Sequence, residues 1–144
     1  MSYSTRLATS VHILLAIYHF ENKEKVTSTF LAGSIQTNPV IVRNLFGKLQ
    51  KSGLVKVEAG VGGAHLTKKP EELTLWDIFL AVEDPQKTIF KPHDDTNPNC
   101  EVGRVVHSVL DPRLNDIHNQ FLESLKAINL ASLITDMDNK LAQN

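Results

Sequence analysis

The sequence predicts a mainly α-helical fold with one small two-stranded sheet. Apolar residues recur at helical spacing over much of the 144-residue chain. Asn38-Pro39 combines a favoured helix cap with a favoured first helical residue. Two short alternating segments, 54–58 and 64–67, flank a glycine-rich stretch at 59–63. Together these patterns predict several short helices and one hairpin.

The composition predicts one globular domain. Apolar residues make up 42% of the chain and charged residues 22%. Cys100 is the single cysteine, which excludes an internal disulfide framework and favours a reducing compartment. The apolar run 11–20 is too short to cross a bilayer and lacks the features of a signal peptide. We therefore expect a cytoplasmic protein with no membrane partner.

The charge is distributed unevenly. Residues 1–69 hold nine Lys and Arg against three Asp and Glu, a net charge of +6. Residues 70–144 hold six against thirteen, a net charge of −7. The basic half indicates an anionic partner such as nucleic acid. Chance segregation on a solvated surface is the alternative.

The first fifty residues predict three helices. The first spans 4–20, and a short second helix begins after the hydroxyls of 27–28 and ends near Gly33. The third runs from Pro39 to Ser52-Gly53. We expect the first helix to use Leu7, Ala8, Val11, Leu14, Leu15 and Tyr18 as its apolar face, and the third to bury Val42, Leu45, Phe46 and Leu49 and to turn Val40, Arg43, Asn44, Gly47 and Lys51 outward, with Lys48 flanking. This is the pattern of a helix-turn-helix.

A hairpin follows the third helix. Val55 and Val57 alternate with charged residues, as Ala64 and Leu66 do with polar ones, so each strand should bury one face. A helix-turn-helix followed by a hairpin is a winged helix-turn-helix, and the glycine tip is its wing. The glycines allow bare backbone to approach a phosphate chain or a minor groove. A merely loose hairpin is the alternative.

The second half predicts a helix opened by a Thr74–Asp77 capping box, a loop at 85–99, and a long helix from about Cys100. Asp111-Pro112 should kink or restart the long helix, and Asn129 or Ser132 should cap a last helix over 130–141.

A second copy of the chain is the simplest partner for the long helix's apolar stripe. The predicted organisation is 1–84 DNA-binding, 85–99 loop, and 100–144 dimerisation helix with a short C-terminal helix. The stripe contains Val102, Val105, Val106, Val109, Leu114, Ile117, Phe121, Leu125 and Ile128.

Four stretches carry a family resemblance: SYSTRLATSVHILLAI, TNPVIVRNLFGKLQKSGLV, EAGVGGAHLTKKPEELTLWDIFLAVE and NPNCEVG. Over nearly its whole length the chain resembles the Rrf2 family of winged-helix transcription regulators, typified by IscR, NsrR and CymR. The resemblance implies a homodimer whose recognition helices enter the major groove of double-stranded DNA while the wings flank it. The family's DNA-contacting positions correspond here to Thr37, Asn38, Val40, Arg43, Asn44 and Lys48, and to the wing at 60–65, including Gly60, Gly62, Gly63 and His65.

The chain departs from better-known members at two places. They carry an arginine before the wing glycines, where this chain reads Glu58-Ala59-Gly60. Cluster-binding members carry three cysteines before the long helix, where this chain has Cys100 alone. One thiolate cannot hold an iron–sulfur cluster, so we expect no cofactor. Cys100 is then a redox-sensing thiol or an inert residue.

The neighbouring residues His93, Asp94 and Asp95 fit no recognised zinc pattern with Cys100, so we expect no metal site. The chain contains no phosphate-binding loop, nucleophile elbow or metalloprotease motif, which argues against an enzyme. We expect a transcription repressor acting on a palindromic promoter site. An effector molecule, a partner protein or a redox signal would act through the C-terminal half. The alternative is a winged helix that binds proteins and not specific DNA.

Overall fold

The computed structural model describes residues 4–60 and 62–143, and it has the predicted winged-helix architecture. A single 3₁₀ turn, Pro70–Glu72, precedes the fourth helix. The other elements are α1 (Arg6–Phe20), α2 (Ser28–Ile35), α3 (Pro39–Lys51), β1 (Val55–Glu58), β2 (Gly63–Leu66), α4 (Leu75–Val82), α5 (Glu101–Lys126) and α6 (Leu130–Ala142). The two strands pair antiparallel, with Val55 opposite Leu66 and Glu58 opposite Gly63. No helix among the described residues combines the length and the apolar character that a membrane span requires.

One hydrophobic core holds α1 to α4, the wing and α6 together. Helix α3 contributes the inward side chains predicted for it, although Phe46 is only half-buried. Burying each large aliphatic side chain stabilises the fold by about 1.5–3 kcal/mol. The fully buried aliphatic side chains include Ile13, Leu14, Ile17, Leu31, Val42, Leu49, Leu73, Ile78 and Leu130.

The buried face of α1 differs from the predicted one. Tyr18 is 40% exposed, and Ala8 is also exposed. Ala8, Val11 and Leu15 of the predicted stripe line a groove of about 520 Å³ between α1 and α6. Leu14 is buried, and Leu7, Val11 and Leu15 pack half-buried against the core, as predicted. The prediction was wrong for Ala8 and Tyr18, because α1 is apolar on most of its surface and spacing alone could not select the face that packs. The residues that are buried are Ser10, Ile13, Leu14, Ala16 and Ile17.

Strand β1 buries one residue where alternation predicted two. Val55 is buried, whereas Val57 is 51% exposed. The hairpin leaves the body of the domain after its first residues, so nothing covers the outer part of the apolar face. The wing therefore projects beyond the core.

Helix α5 runs without interruption through Pro112, so the restart, one of the two predicted outcomes, does not occur, and the kink stays a prediction. Pro112 is exposed, and water can satisfy the carbonyl that lacks its usual N–H partner. Helix α5 packs mainly against α4: the rings of Phe121 and Phe79 meet edge to face at 6.0 Å, and the Lys126 ammonium lies 5.0 Å from the centre of the Trp76 ring. These contacts fix the C-terminal part of α5 on α4.

Helix α6 returns to the winged-helix core. Asn129 caps it by accepting a hydrogen bond from the Ser132 N–H at 2.9 Å. The backbone N–H of Leu130 donates to the Leu73 carbonyl at 2.7 Å, and that of Leu75 donates to the Ile128 carbonyl at 2.9 Å. The predicted organisation grouped the last helix with the dimerisation helix. The buried face of α6 instead belongs to the same core as α1.

Candidate nucleic-acid interface

Helix α3 begins on a tightly specified turn. Gln36 ends α2 in the left-handed conformation, with φ of 59°. The side chain of Asn38 then accepts the Val40 N–H at 2.8 Å, and Pro39 occupies the first helical position. Asn38 therefore acts as the cap of α3, and Thr37 is half-buried in the turn. These contacts set the direction in which α3 leaves the core.

The outward face of α3 carries free positive charge. Val40, Asn44, Gly47 and Lys51 follow one another at intervals of four, three and four residues, opposite the buried side of the helix. Arg43 and Lys48 flank this line. All are exposed, and none of the three cations forms an ion pair with another described residue. Such a face attracts polyanions, although Glu83 and Asp84 line a cleft together with Lys48 and Lys51.

The first turn of α1 extends this surface, which the sequence did not predict. Thr5, Arg6 and Thr9 line a cleft of about 410 Å³ together with Asn44 and Lys48 of α3. A second cleft of about 390 Å³ places Arg6 beside Lys48 and Lys51. The hydroxyls and the positive N-terminal end of α1 suit phosphate oxygens. The basic excess of the N-terminal half was the only signal in the sequence.

Arg6 is held by a buried carboxylate. Its Nη1 lies 3.5 Å from Oε2 of Glu83, whose side chain is almost fully buried. The Ser4 hydroxyl donates to the other Glu83 oxygen at 2.6 Å. Because Glu83 directly follows α4, this pair connects the end of α4 to the cationic surface.

The wing glycines have different structural roles. A Cβ on Gly63 would come within 2.8 Å of the Val26 nitrogen, and φ there is +72°. A Cβ on Gly62 would overlap the Glu58 side chain at 2.3 Å. Gly60, with φ of +76°, faces open space and lies at the tip. Close contacts thus require Gly62 and Gly63, whereas the left-handed backbone alone favours glycine at Gly60.

His65 points into the base of the wing. Its Nε2 lies 3.0 Å from the Gly62 carbonyl oxygen and 3.8 Å from Oε2 of Glu58. Its Nδ1 lies 3.9 Å from Oε2 of Glu21, which also accepts the Leu66 N–H at 3.2 Å. The half-buried ring therefore ties β2 to the end of α1. The contact of His65 with DNA stays a prediction.

Cys100 occupies the N-cap of α5 and is exposed. Its Sγ accepts the Gly103 N–H at 3.5 Å. Hydrogen bonds from the backbone N–H groups of Gly103 and Val102 hold the pKa of the thiol below its ordinary value. This environment favours the thiolate, the form that reacts with oxidants.

The residues around Cys100 do not fit an iron–sulfur cluster. The sequence supplies one cysteine, whereas such clusters take four cysteines or a mixture with histidine. Within 4–60 and 62–143, no three His, Cys, Asp or Glu side chains are grouped to hold a metal ion. The ring of His93 instead lies against that of His107, with ring centres 4.8 Å apart and the planes tilted by 35°.

His107 joins α5 to the preceding loop. Its Nδ1 lies 3.2 Å from Asp111 Oδ1, and its Nε2 lies 3.4 Å from the Asp94 carbonyl oxygen. The hydrogen bond with Asp111, followed by that with the Asp94 carbonyl, raises the pKa of His107 above 6.5. Both ring nitrogens face acceptors, so the protonated imidazolium satisfies both contacts.

A second exposed surface lies on α5. Val102 and Val109 are 69% and 66% exposed, and further apolar side chains continue along the helix. An apolar face of this length is uncommon on a monomer and marks a contact with another molecule. The remaining exposed members on α5 are Val105, Leu110 and Ile117, and Ile128 is exposed just beyond the end of the helix.

A helix-turn-helix with a cationic outer face, a projecting wing and a cleft lined by cations and hydroxyls are typical of a winged-helix DNA-binding protein. The family model for Rrf2, described as an iron-dependent transcriptional regulator, matches residues 3–136. The chain therefore belongs to the Rrf2 family, as the sequence resemblance predicted, and it is a DNA-binding transcriptional regulator.

Individual relatives agree with this assignment. YwnA of Bacillus subtilis, named as an HTH-type transcriptional regulator, is 32% identical over 134 residues, which cover 93% of this chain and 98% of YwnA. The crystal structure of a protein described as DNA-binding matches with a TM-score of 0.67 and 31% identity, covering 90% of this chain and 98% of that one. The cysteine regulator CymR of B. subtilis shares the fold, with a TM-score of 0.69, 19% identity, and coverage of 94% and 97%. The family description and the role named for YwnA confirm the expectation that the chain is not an enzyme.

Proposed function

We propose that the protein is a homodimeric repressor that occupies a roughly palindromic promoter site. The observation that carries this proposal is the free cationic face of α3, which continues into the Arg6 cleft. In this arrangement Arg43 reads a base edge, and Lys48, Lys51 and Arg6 contact phosphates. Gly60 brings wing backbone close to the neighbouring groove.

The exposed apolar face of α5 supports the homodimer. A second copy would cover the same valines with its own, as an isologous interface requires. Two copies related by a twofold axis would present two α3 helices to two half-sites, which is why the site should be palindromic. Occupying such a site blocks access of RNA polymerase to the promoter.

The input to this repressor enters through the C-terminal half. Helix α5 packs on α4, and α4 packs on both α1 and α3. A change at the dimer interface would therefore alter the separation of the two α3 helices. Oxidation of the exposed Cys100 thiol is one such change, and binding of a small molecule or a partner protein is another. We propose that no iron–sulfur cluster takes part.

Binding to DNA from the chain's own upstream region tests the function. Wild type, Arg43→Ala and the control Lys140→Ala are titrated against overlapping fragments at two salt concentrations. Lys140 is an exposed cation on α6, remote in sequence from α3. We expect one preferred fragment, steep salt dependence, and a loss of about 1–3 kcal/mol in Arg43→Ala alone. Equal binding of all fragments by all three proteins would favour the interaction-module alternative.

A second titration tests the redox input. Wild type and Cys100→Ser are compared with hydrogen peroxide and with a reductant on the preferred fragment. Loss of wild-type binding in peroxide, restored by reductant and absent in Cys100→Ser, would support sensing. Identical responses of the two proteins would make Cys100 inert and leave an effector or partner as the input.

A further inference from the structure

Two large apolar side chains lie exposed on the first turn of α3, within the cationic surface. Val40 is 50% exposed and Ile41 is 49% exposed. Ile41 faces the cleft that α3 forms with α1. Val40 instead belongs to the outermost line of the helix, in register with Asn44 and Gly47. Val40 is therefore the apolar residue that a bound molecule would meet first.

Folding does not account for a valine at this position. A β-branched side chain has a lower helix propensity than alanine or a straight-chain residue, because its χ1 angle is restricted. At Val42 the burial of the whole side chain offsets this cost, whereas the side chain of Val40 is 50% exposed. Val40 also contributes only its backbone N–H to the Asn38 cap, and nearly any residue would supply that group.

The major groove contains one kind of apolar group, the C5 methyl of thymine. The N-terminal residues of a recognition helix are the ones that reach base edges. One turn beyond Asn44, Gly47 has no side chain, and a Cβ there would meet nothing within 4 Å. Gly47 therefore adds no side chain to this line that would hold the first turn of α3 away from a DNA groove.

We infer that Val40 contacts a thymine C5 methyl group, so that the preferred half-site contains thymine at one fixed position. The inference rests on the proposed function, because it assigns α3 to the major groove. It adds the chemistry of one base contact and the residue that makes it. Arg43 and the phosphate-binding cations have no part in this preference.

Deoxyuridine substitution tests the contact, because it removes the methyl group and leaves base pairing unchanged. In the preferred upstream fragment, each thymine pair related by the palindrome is replaced in turn. We expect one replacement to weaken wild-type binding roughly fourfold for each methyl removed, the amount expected for one buried carbon. The same replacement should leave the affinity of Val40→Ala unchanged.

Ile41→Ala is the matched control, since it truncates the adjacent and equally exposed side chain. This variant should retain the full deoxyuridine penalty, and thermal denaturation should show that both variants fold. A full penalty in Val40→Ala, or no penalty at any thymine in wild type, overturns the inference while the regulator assignment stands. A wild type that prefers no fragment overturns the proposed function and this inference together.

Discussion

Helices α3 and α5 both expose apolar side chains, but the surroundings of those side chains differ. On α3, Val40 lies among unpaired cations and one amide. On α5, exposed apolar residues continue from Val102 to Ile117, and the helix packs on α4 only toward its C-terminal part. A short apolar spot within a cationic face suits the mixed chemistry of a DNA groove. A long apolar face suits another protein surface.

The largest expected effect follows from placing a charge on the α5 face. Val109→Glu should weaken dimerisation roughly a hundredfold, because two carboxylates would be buried close together at the interface. Sedimentation equilibrium measures the change. Val57→Glu is the control, since Val57 is also an exposed valine but lies on the wing. Dissociation of both variants, or of neither, would remove the distinction between the two faces.

The caps of the two helices should contribute unequally. Asn38→Ala should lower the free energy of unfolding by about 1 kcal/mol, because it removes a 2.8 Å cap of α3. Cys100→Ala removes a 3.5 Å sulfur contact and should cost less than half as much. Urea denaturation compares them. A larger loss of unfolding free energy in Cys100→Ala than in Asn38→Ala would show that α5 depends on its N-cap more than α3 does.

Salt dependence separates the roles of residues on α3. Lys48→Ala should weaken binding of all fragments nearly equally and lower the salt slope by about one for each phosphate that is no longer neutralised. Arg43→Ala should instead reduce the preference among fragments. Titrations over a range of salt concentrations distinguish the two variants. The same salt slope in Lys48→Ala and wild type would exclude Lys48 from phosphate binding.

The smallest expected effect is a change in how the stability of the protein depends on pH when His107 of α5 is replaced. Because the folded-state pKa of His107 is raised, protonated His107 stabilises the fold below about pH 6.5, and this stabilisation is lost as pH rises through the folded-state value. His107→Gln should therefore reduce the difference in melting temperature between pH 5.5 and pH 8.5. His12→Gln, which alters an exposed histidine bonded to Ser34, serves as the control. An unchanged pH dependence would contradict the role of the Asp111 and Asp94 contacts.

Local chemistry made α3 and the wing predictable from the sequence. Asn38-Pro39 fixes where α3 starts, and its polar outer face leaves one way to pack. Helix α1 offers no such contrast, because Ile13 and Leu15 are both aliphatic although only Ile13 is fully buried. Arg6 was missed because its role depends on α1 lying beside α3, a tertiary contact. The continuation of α5 through Pro112 could not be predicted either, because it depends on that residue facing solvent in the folded chain.

The backbone hydrogen bonds that join Leu73 to Leu130 and Ile128 to Leu75 bring the chain back to where α4 began. The segment between them, which includes α4 and α5, therefore begins and ends at the same place in the fold. Because the buried residues of α4 belong to the core and α4 packs on α1 and α3, a displacement of α5 would be transmitted through α4 to the helices that carry the cationic surface.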